Sequence, residues 1–351
     1  MLQQHQLYMH RCLELARLGA GHVAPNPMVG SVLVYEDRII GEGYHQQCGQ
    51  AHAEVNCINS VKEEDKSFID KSVIYVSLEP CAHFGKTPPC ADLIIRHKIP
   101  TAVVGCGDPF EQVDGKGIEK LEKAGIKVIM GVLVEECKEM NKRFFTFHLN
   151  NRPYIILKWA QSKNHKIAHA DFSRVLISNA YSNRLVHKWR SEEPAIMVGT
   201  NTALHDNPSL DARHWTGSNQ VRLVLDLNLR LPGDLQIFNK KQKTIIFNTT
   251  KQEEQENLLY YKIDESLPYV RSLLNACREL QIQSILVEGG MKLLKSFIEE
   301  ELWDEARVIE NSQLIIDNGL DAPVLSNHTL VKSESISADV ATYYKIADRK
   351  R

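Results

Sequence analysis

Three short motifs constrain this chain more than anything else in it: His52-Ala53-Glu54, Glu79-Pro80-Cys81 and Pro88-Pro89-Cys90. One imidazole and two thiolates fill three corners of a tetrahedral zinc site and leave the fourth for water. A fold that uses them must bring three separated segments to one point. Cysteine usage points the same way. Of eight cysteines, seven precede residue 140 and only Cys277 follows it. The N-terminal stretch MLQQHQLYMHRCLELARLGAG alternates polar and apolar residues and has no continuous apolar signal core, so the expected compartment is the reducing cytoplasm. There, clustered thiols suit a metal site and a few core positions better than a disulfide framework.

Zinc held by such a set lowers the pKa of water toward neutrality and makes a hydroxide nucleophile available. An amine leaving group must be protonated as it departs, which calls for a carboxylate next to the metal. Glu54 stands two residues after His52, at the start of the same expected helix, where it can move protons without ligating. His-x-Glu followed by Pro-Cys is the pattern of zinc deaminases that act on nucleobases. That pattern usually has two residues between the paired cysteines, whereas here eight (AHFGKTPP) separate Cys81 from Cys90. The insertion carries His83 and Lys86, and Lys86 suits a phosphate or a polar base edge. Two other arrangements use the same residues: a closed structural zinc, with Cys48, Cys57 or Cys106 as fourth ligand, and three unrelated core side chains. Structural sites normally take four protein ligands, and Cys57 and Cys106 fall in apolar-patterned elements that read as core.

A chain of 351 residues exceeds what one average core organises, so two domains are expected. Residues 5–19 have helical periodicity, SVLVYEDRIIGEGYH reads as a hairpin turning at Glu36-Asp37, and a helix follows from His52. Strands at 73–78, AVVGC and KVIMGVL alternate with helices, which gives an α/β sandwich. Arg152-Pro153 opens a new strand, and the domains are drawn as 1–148 and 149–351. In the second, strands are expected at about 154–159, 195–198, 221–226, 243–247 and 284–287. The tract KKQKTIIFNTTKQEEQENLLYY reads as a surface excursion interrupted by one strand. Apolar runs such as 154–157 and 284–287 are far too short to span a bilayer. Forty-two basic against forty-four acidic side chains, a formal charge of −2, exclude the broad cationic surface that nucleic-acid binding needs.

The second domain offers weaker clues from its residues alone. SILVEGGMKLLKSF is a strand, a Gly289-Gly290 turn and a helix, a junction where phosphate can approach backbone N–H groups. No GxGxxG is present, so a Rossmann assignment has no support. VGTNTALHDNPSLDAR is a strand followed by polar residues and ends at Arg213.

AHFGKTPPC, with PNPMVG upstream and GCGDPFEQVDGKG downstream, resembles the bifunctional riboflavin-biosynthesis deaminase/reductases, and the resemblance runs over nearly the whole chain. It implies a cytidine-deaminase-like α/β/α sandwich followed by a dihydrofolate-reductase-like α/β domain. The first would hydrolyse the 2-amino group of 2,5-diamino-6-(5-phosphoribosylamino)pyrimidin-4-one. The second would use NADPH to reduce the ribosyl chain, giving 5-amino-6-(5-phosphoribitylamino)uracil. By the same resemblance His52, Cys81 and Cys90 hold one zinc and Glu54 is catalytic, while Asn26, His45, Lys86 and Asp108 bind substrate. In the reductase half, Lys158 is catalytic, and Arg190, Leu210, Arg213 and Glu288 contact substrate. Ala160, Thr202, Asp206, Gly290 and Met291 line the nucleotide site. A phosphoribosyl substrate gives two arginines a reason, since guanidinium grips phosphate as a bidentate fork.

From residues alone, Asn26 also suits a turn before proline, His45 a satisfied structural role, Asp108-Pro109 turn punctuation, and Arg190 a solvated helix face. One departure stands out: the acidic Ser-Leu-Asp-Gly turn that the family places after LK-x-A is Ser162-Lys163-Asn164-His165 here. The competing functions are a deaminase with a binding but non-reducing second domain, a cytidine- or tRNA-type deaminase, and a zinc-stabilised binding module. The expected partner is a small phosphoribosyl pyrimidine, with no nucleic acid and no membrane, and a homo-oligomer is compatible with this reading.

Overall fold

The computed structural model describes residues 2–84, 88–111, 113–171, 173, 175–217 and 220–347. Contacts divide the chain into two compact units, Met1–Asn151 and Arg152–Arg351.

The first unit begins with α1 (Leu2–Arg17), β1 (Gly30–Tyr35), β2 (Arg38–Tyr44), α2 (Ala53–Asn59) and β3 (Val73–Leu78). It continues with α3 (Cys90–Arg96), β4 (Thr101–Cys106), α4 (Lys116–Lys123), β5 (Lys127–Met130), α5 (Val134–Met140) and α6 (Lys142–Leu149). The sheet order is β2-β1-β3-β4-β5, with β1 antiparallel to its neighbours and β3, β4 and β5 parallel. Glu36 and Asp37 both take positive φ, 44° and 64°, the left-handed pair that lets a two-residue turn match the strand twist. Strands β3 (VIYVSL) and β4 (TAVVGC) read as unbroken apolar runs because helices cover both of their faces. On one face Leu33, Cys57, Ile58, Ile74 and Ile94 pack together, and on the other Met9, Cys12, Leu13, Val32 and Cys106 do. Cys57 and Cys106 are therefore core. This sandwich leaves the C-terminal ends of β3 and β4 side by side, the place where open α/β sheets put their ligands.

The second unit opens with β6 (Tyr154–Ser162), β7 (Lys166–His169), α7 (Ala180–Glu192), β8 (Ala195–Gly199), α8 (Thr200–Asp206) and β9 (Val221–Leu225). Then come β10 (Thr244–Asn248), β11 (Glu253–Gln255), β12 (Leu258–Lys262), α9 (Tyr269–Glu279) and β13 (Ser284–Val287). It closes with α10 (Met291–Glu299), β14 (Glu305–Asn311), β15 (Gly319–Asp321), β16 (His328–Ile336) and β17 (Asp339–Ile346). A ten-stranded sheet runs β11-β12-β10-β9-β8-β13-β6-β14-β17-β16, and β15 pairs with β7. Strands β12 to β14 are parallel and the outer pairings antiparallel.

One expectation needs correction here, and one departure finds its physical account. The tract expected as a surface excursion supplies three strands: all five residues of β10 are buried, and Leu258 and Leu259 of β12 pack into the core. The strand expected at 243–247 is β10, whereas β11 and β12 gave no signal because Glu253, Glu254 and Lys262 lie within them. The departing turn after β6 is held by Asn164, whose Oδ1 accepts from the Ser162 hydroxyl (2.7 Å) and whose Nδ2 donates to the Ile316 carbonyl (3.0 Å). His165 takes the positive φ of this turn, 56°.

Candidate active sites

In the first unit, His52 caps the N-terminus of α2, Cys81 follows β3, and Cys90 begins α3. Their Nδ1 and Sγ atoms lie within 4.8 Å of one another, and among the described residues no fourth His, Cys, Asp or Glu joins them. Nδ1 of His52 stands 3.6 Å from Cys81 Sγ and 3.3 Å from Cys90 Sγ, and the Cys90 backbone N–H donates to Cys81 Sγ at 3.3 Å. The hydrogen bond from the Cys90 thiol pulls the Cys81 thiol down to about 4, and the Cys81 thiolate in turn raises His52. One nitrogen and two sulfurs, with one thiol already inclined to ionise, fit zinc with an open fourth position. Cys48, Cys57 and Cys106 lie outside the group.

Glu54, in the first turn of α2, is only 3% exposed. Burial and the neighbouring Cys81 raise its pKa. His45 and Asn26 meet at this site: Asn26 Nδ2 is 3.1 Å from His45 Nε2, and His45 Nδ1 is 3.0 Å from the Ala51 carbonyl. Nδ1 therefore donates to the carbonyl, Nε2 accepts from Asn26, and burial lowers the pKa of the ring. The His45 and His52 rings stand edge to face at 5.4 Å. Asp108 lies just beyond β4, 8% exposed, with its pKa pushed up to about 7 by burial. Lys86 lies outside the described residues.

The second unit holds a different centre. Arg190, in the last turn of α7, meets Glu288, just after β13, through two 2.7 Å bonds from Nε and Nη2, and its Nη1 donates to the Asp211 carbonyl at 3.0 Å. Their side chains are 14% and 5% exposed, so the solvated-face alternative for Arg190 falls. The fork expected to grip phosphate grips Glu288 instead. Burial opposes both charges, yet the pair's mutual attraction raises Arg190 and lowers Glu288. Lys158 of β6 interacts with both, and burial lowers its pKa.

Arg213 is 56% exposed and paired with Asp211 at 3.1 Å. With Asn183, Arg184, His214 and Trp215 it lines a cavity of about 740 Å³. Leu210 is buried with φ at 48°. Gly289 and Gly290 sit against Gly199 and Thr202: a Cβ on Gly289 would stand 3.2 Å from Thr202 Oγ1, and one on Gly290 3.6 Å from Gly199. Met291 starts α10 and Asp206 ends α8, while Ala160 lies in β6 opposite Ile309. Two glycines at positive φ, 148° and 85°, bring bare backbone to the start of α10, a junction of the kind that receives a dinucleotide phosphate and so fits the expected cofactor.

Sequence reading missed Arg184, His187 and Asp211. His187 is 2% exposed, its Nδ1 has no hydrogen-bond partner among the described residues, and its ring lies 4.6 Å from that of His214. A histidine on the inner face of α7 was the available signal, but its neighbours come from distant segments.

A His-Cys-Cys triad beside a buried glutamate, followed by a unit with a glycine cradle and a buried cationic centre, defines a zinc-dependent deaminase joined to a reductase. Residues 2–106 match the model of the cytidine and deoxycytidylate deaminase zinc-binding region, and residues 153–339 match that of the RibD C-terminal domain. The chain belongs to the RibD family, the bifunctional zinc- and NADPH-dependent deaminase/reductases of riboflavin biosynthesis. It is 37% identical to the riboflavin biosynthesis protein RibD of Aquifex aeolicus, over 96% of this chain and 97% of that one. With the RibD of Actinobacillus pleuropneumoniae it shares 36%, over 83% and 79%. A crystal structure from Thermotoga maritima, a diaminohydroxyphosphoribosylaminopyrimidine deaminase/5-amino-6-(5-phosphoribosylamino)uracil reductase, superposes with a TM-score of 0.89 at 34% identity, covering 99% of both chains. RibD of Acinetobacter baumannii gives 0.90 at 28% identity, covering 99% of this chain and 100% of that one.

Proposed function

We propose that residues 1–148 hydrolyse the 2-amino group of 2,5-diamino-6-(5-phosphoribosylamino)pyrimidin-4-one. Residues 149–351 then reduce the ribosyl chain to give 5-amino-6-(5-phosphoribitylamino)uracil. The observation that carries this reading is the triad of His52, Cys81 and Cys90 beside the buried Glu54. Bound zinc supplies Lewis acidity toward water, and bound NADPH supplies the hydride. In the deamination, oxygen from water bonds to C2, the C2–N bond breaks, and ammonia leaves. Glu54 takes a proton from the water and delivers one to the departing amine, a task for which its raised pKa suits it. Asn26 and His45 form one hydrogen-bonded wall beside the pyrimidine, and Asp108 stands at another. Lys86 would reach the ribose phosphate.

In the reduction, C1 of the ring-opened sugar gains the hydride and the atom doubly bonded to it gains a proton, so that one NADPH and one proton are consumed. Glu288, oriented by Arg190, and Lys158 hold the opened sugar, and the half-exposed Arg213, paired with Asp211 in the cavity lining, meets its phosphate. Thr202, Asp206, Gly290, Met291 and Ala160 receive the nucleotide. The substrate is a small molecule, as the formal charge of −2 favours, and the site of action is the cytoplasm. No helix among the described residues is long and apolar enough to cross a membrane.

A coupled assay tests the proposal. The diaminopyrimidine phosphate should release ammonia without NADPH, and NADPH should be oxidised only once deaminated product has formed. Ammonia release with no NADPH oxidation would favour the deaminase whose second domain binds without reducing. No ammonia release from zinc-loaded protein would overturn the reading.

A further inference from the structure

The carboxylate of Glu79 is 4% exposed, two residues before Cys81, and stands outside the metal-ligating group. It receives four backbone N–H groups. Oε2 accepts from Asp108 (3.4 Å) and Gly115 (3.1 Å), and Oε1 from Gly117 (2.9 Å) and Ile118 (3.4 Å). Two of these donors belong to the first turn of α4, Gly115 is its cap, and Asp108 lies at the far end of the connection from β4. One carboxylate thus pins both ends of that connection to the strand end that delivers Cys81. The same surfaces touch elsewhere: a Cβ on Gly117 would lie 1.9 Å from the Pro80 carbonyl oxygen, which leaves no space between the start of α4 and the Glu79-Pro80 segment. Asp108 in turn accepts the Phe110 N–H at 2.8 Å, so its carboxylate direction is set by the backbone that Glu79 holds.

We infer that Glu79 is a positioning residue for the deamination, acting through Asp108 and not through the metal; the inference rests on the functional reading above. A buried carboxylate that accepts only N–H groups meets a specific chemical demand. It must present two acceptor oxygens, one toward each end of the connection. Glutamine offers one oxygen and one NH2, so either the Asp108–Gly115 side or the Gly117–Ile118 side would face a donor with donors. Two N–H groups would lose their acceptor in a buried place, where such losses are costly.

The test uses the full-length, zinc-loaded protein. Glu79→Gln should raise KM for the diaminopyrimidine phosphate by about tenfold to a hundredfold, the scale of one or two lost charge-assisted bonds. Its zinc content should stay at one per chain, and its NADPH oxidation with the deaminated compound should stay at the parent rate. Glu79→Asp, which keeps both oxygens, should recover most of the loss. Glu79→Gln combined with Asp108→Asn should fall no further than Asp108→Asn alone, because the first change acts through the second residue. Gly117→Ala provides a second route. It forces the connection off Pro80 without altering the carboxylate and should raise KM in the same way, even if the glutamine variant does not fold. The inference is overturned if Glu79→Gln and Gly117→Ala both keep the parent KM, if the Glu79 and Asp108 losses add, or if zinc is lost in step with activity. A parent protein that releases no ammonia would overturn the functional reading and this inference together, whereas an active parent with unaffected variants overturns this inference alone.

Discussion

In the first unit three metal-ligating side chains, His52, Cys81 and Cys90, converge on one point, and Glu54 is buried beside them with its pKa raised by burial and by Cys81. In the second, the buried charges already answer one another, Arg190 with Glu288 through two 2.7 Å bonds and Lys158 beside them. The difference teaches where each centre gets its order. A metal completes the deaminase centre, so its geometry depends on occupancy. The reductase centre is completed by the fold, so its geometry depends on the pairing of α7 with the end of β13.

Loss of the metal is the strongest way to separate the two. Cys81→Ser or Cys90→Ser should lose zinc and ammonia release together while NADPH oxidation with the deaminated compound persists, read by metal analysis alongside both assays. Next in size, Glu54→Gln should cut ammonia release by about a hundred- to ten-thousand-fold, the span of general acid–base catalysis, with zinc retained at one per chain. Retained deamination would remove Glu54 from the chemistry. Arg190→Ala attacks the other centre by stranding Glu288, and breaking a buried pair costs about 3–5 kcal/mol. Denaturation of the second unit should show that loss, and unchanged stability would mean that the pair is not what orders the site. Arg213→Ala, at the exposed rim, should leave stability alone and weaken the phosphorylated substrate about tenfold to a hundredfold, measured as KM in the reductase assay.

The smallest effect concerns pH. Burial, helped by the charges of Arg190, His214 and Arg213, holds His187 down at about 4, against an ordinary 6.5. Between those values the unfolded chain takes up a proton that the folded unit refuses. Stability therefore falls as the pH drops through that window and levels off below about 4. His187→Gln should flatten that slope, a difference on the order of a few degrees in Tm near pH 5. An identical slope in the variant would place the titration elsewhere.

Much of this was legible in the sequence where covalent spacing and periodicity carry the signal. Strands β3 and β4 read as apolar runs because both faces are covered, and the His-x-Glu and Pro-Cys motifs sit at element ends that the fold must bring together. What stayed hidden depends on partners far along the chain. Glu288 lies 98 residues from the arginine it neutralises, so Arg190 looked free to bind phosphate. Glu79 stood inside a recognised motif, but nothing local indicates that it faces four amides from residues 108–118. Strand β16 gave no strand signal because residues 328–335 are all exposed and no apolar alternation marks a buried face.

That last strand decides how the large sheet ends. A nine-residue edge with open N–H and C=O groups is a template on which further chains could stack. Here the register slips between Leu330 and Lys332, and the cross-strand partner Tyr343 skips Val331. A bulge of this kind twists an edge out of the flat geometry that stacking requires. Lys332 and Glu334, paired at 2.5 Å, add charge on the same stretch. The polar, charged face that gave β16 no apolar alternation also makes it a poor surface for another chain to settle on, and the bulge adds a geometric obstacle to that chemical one.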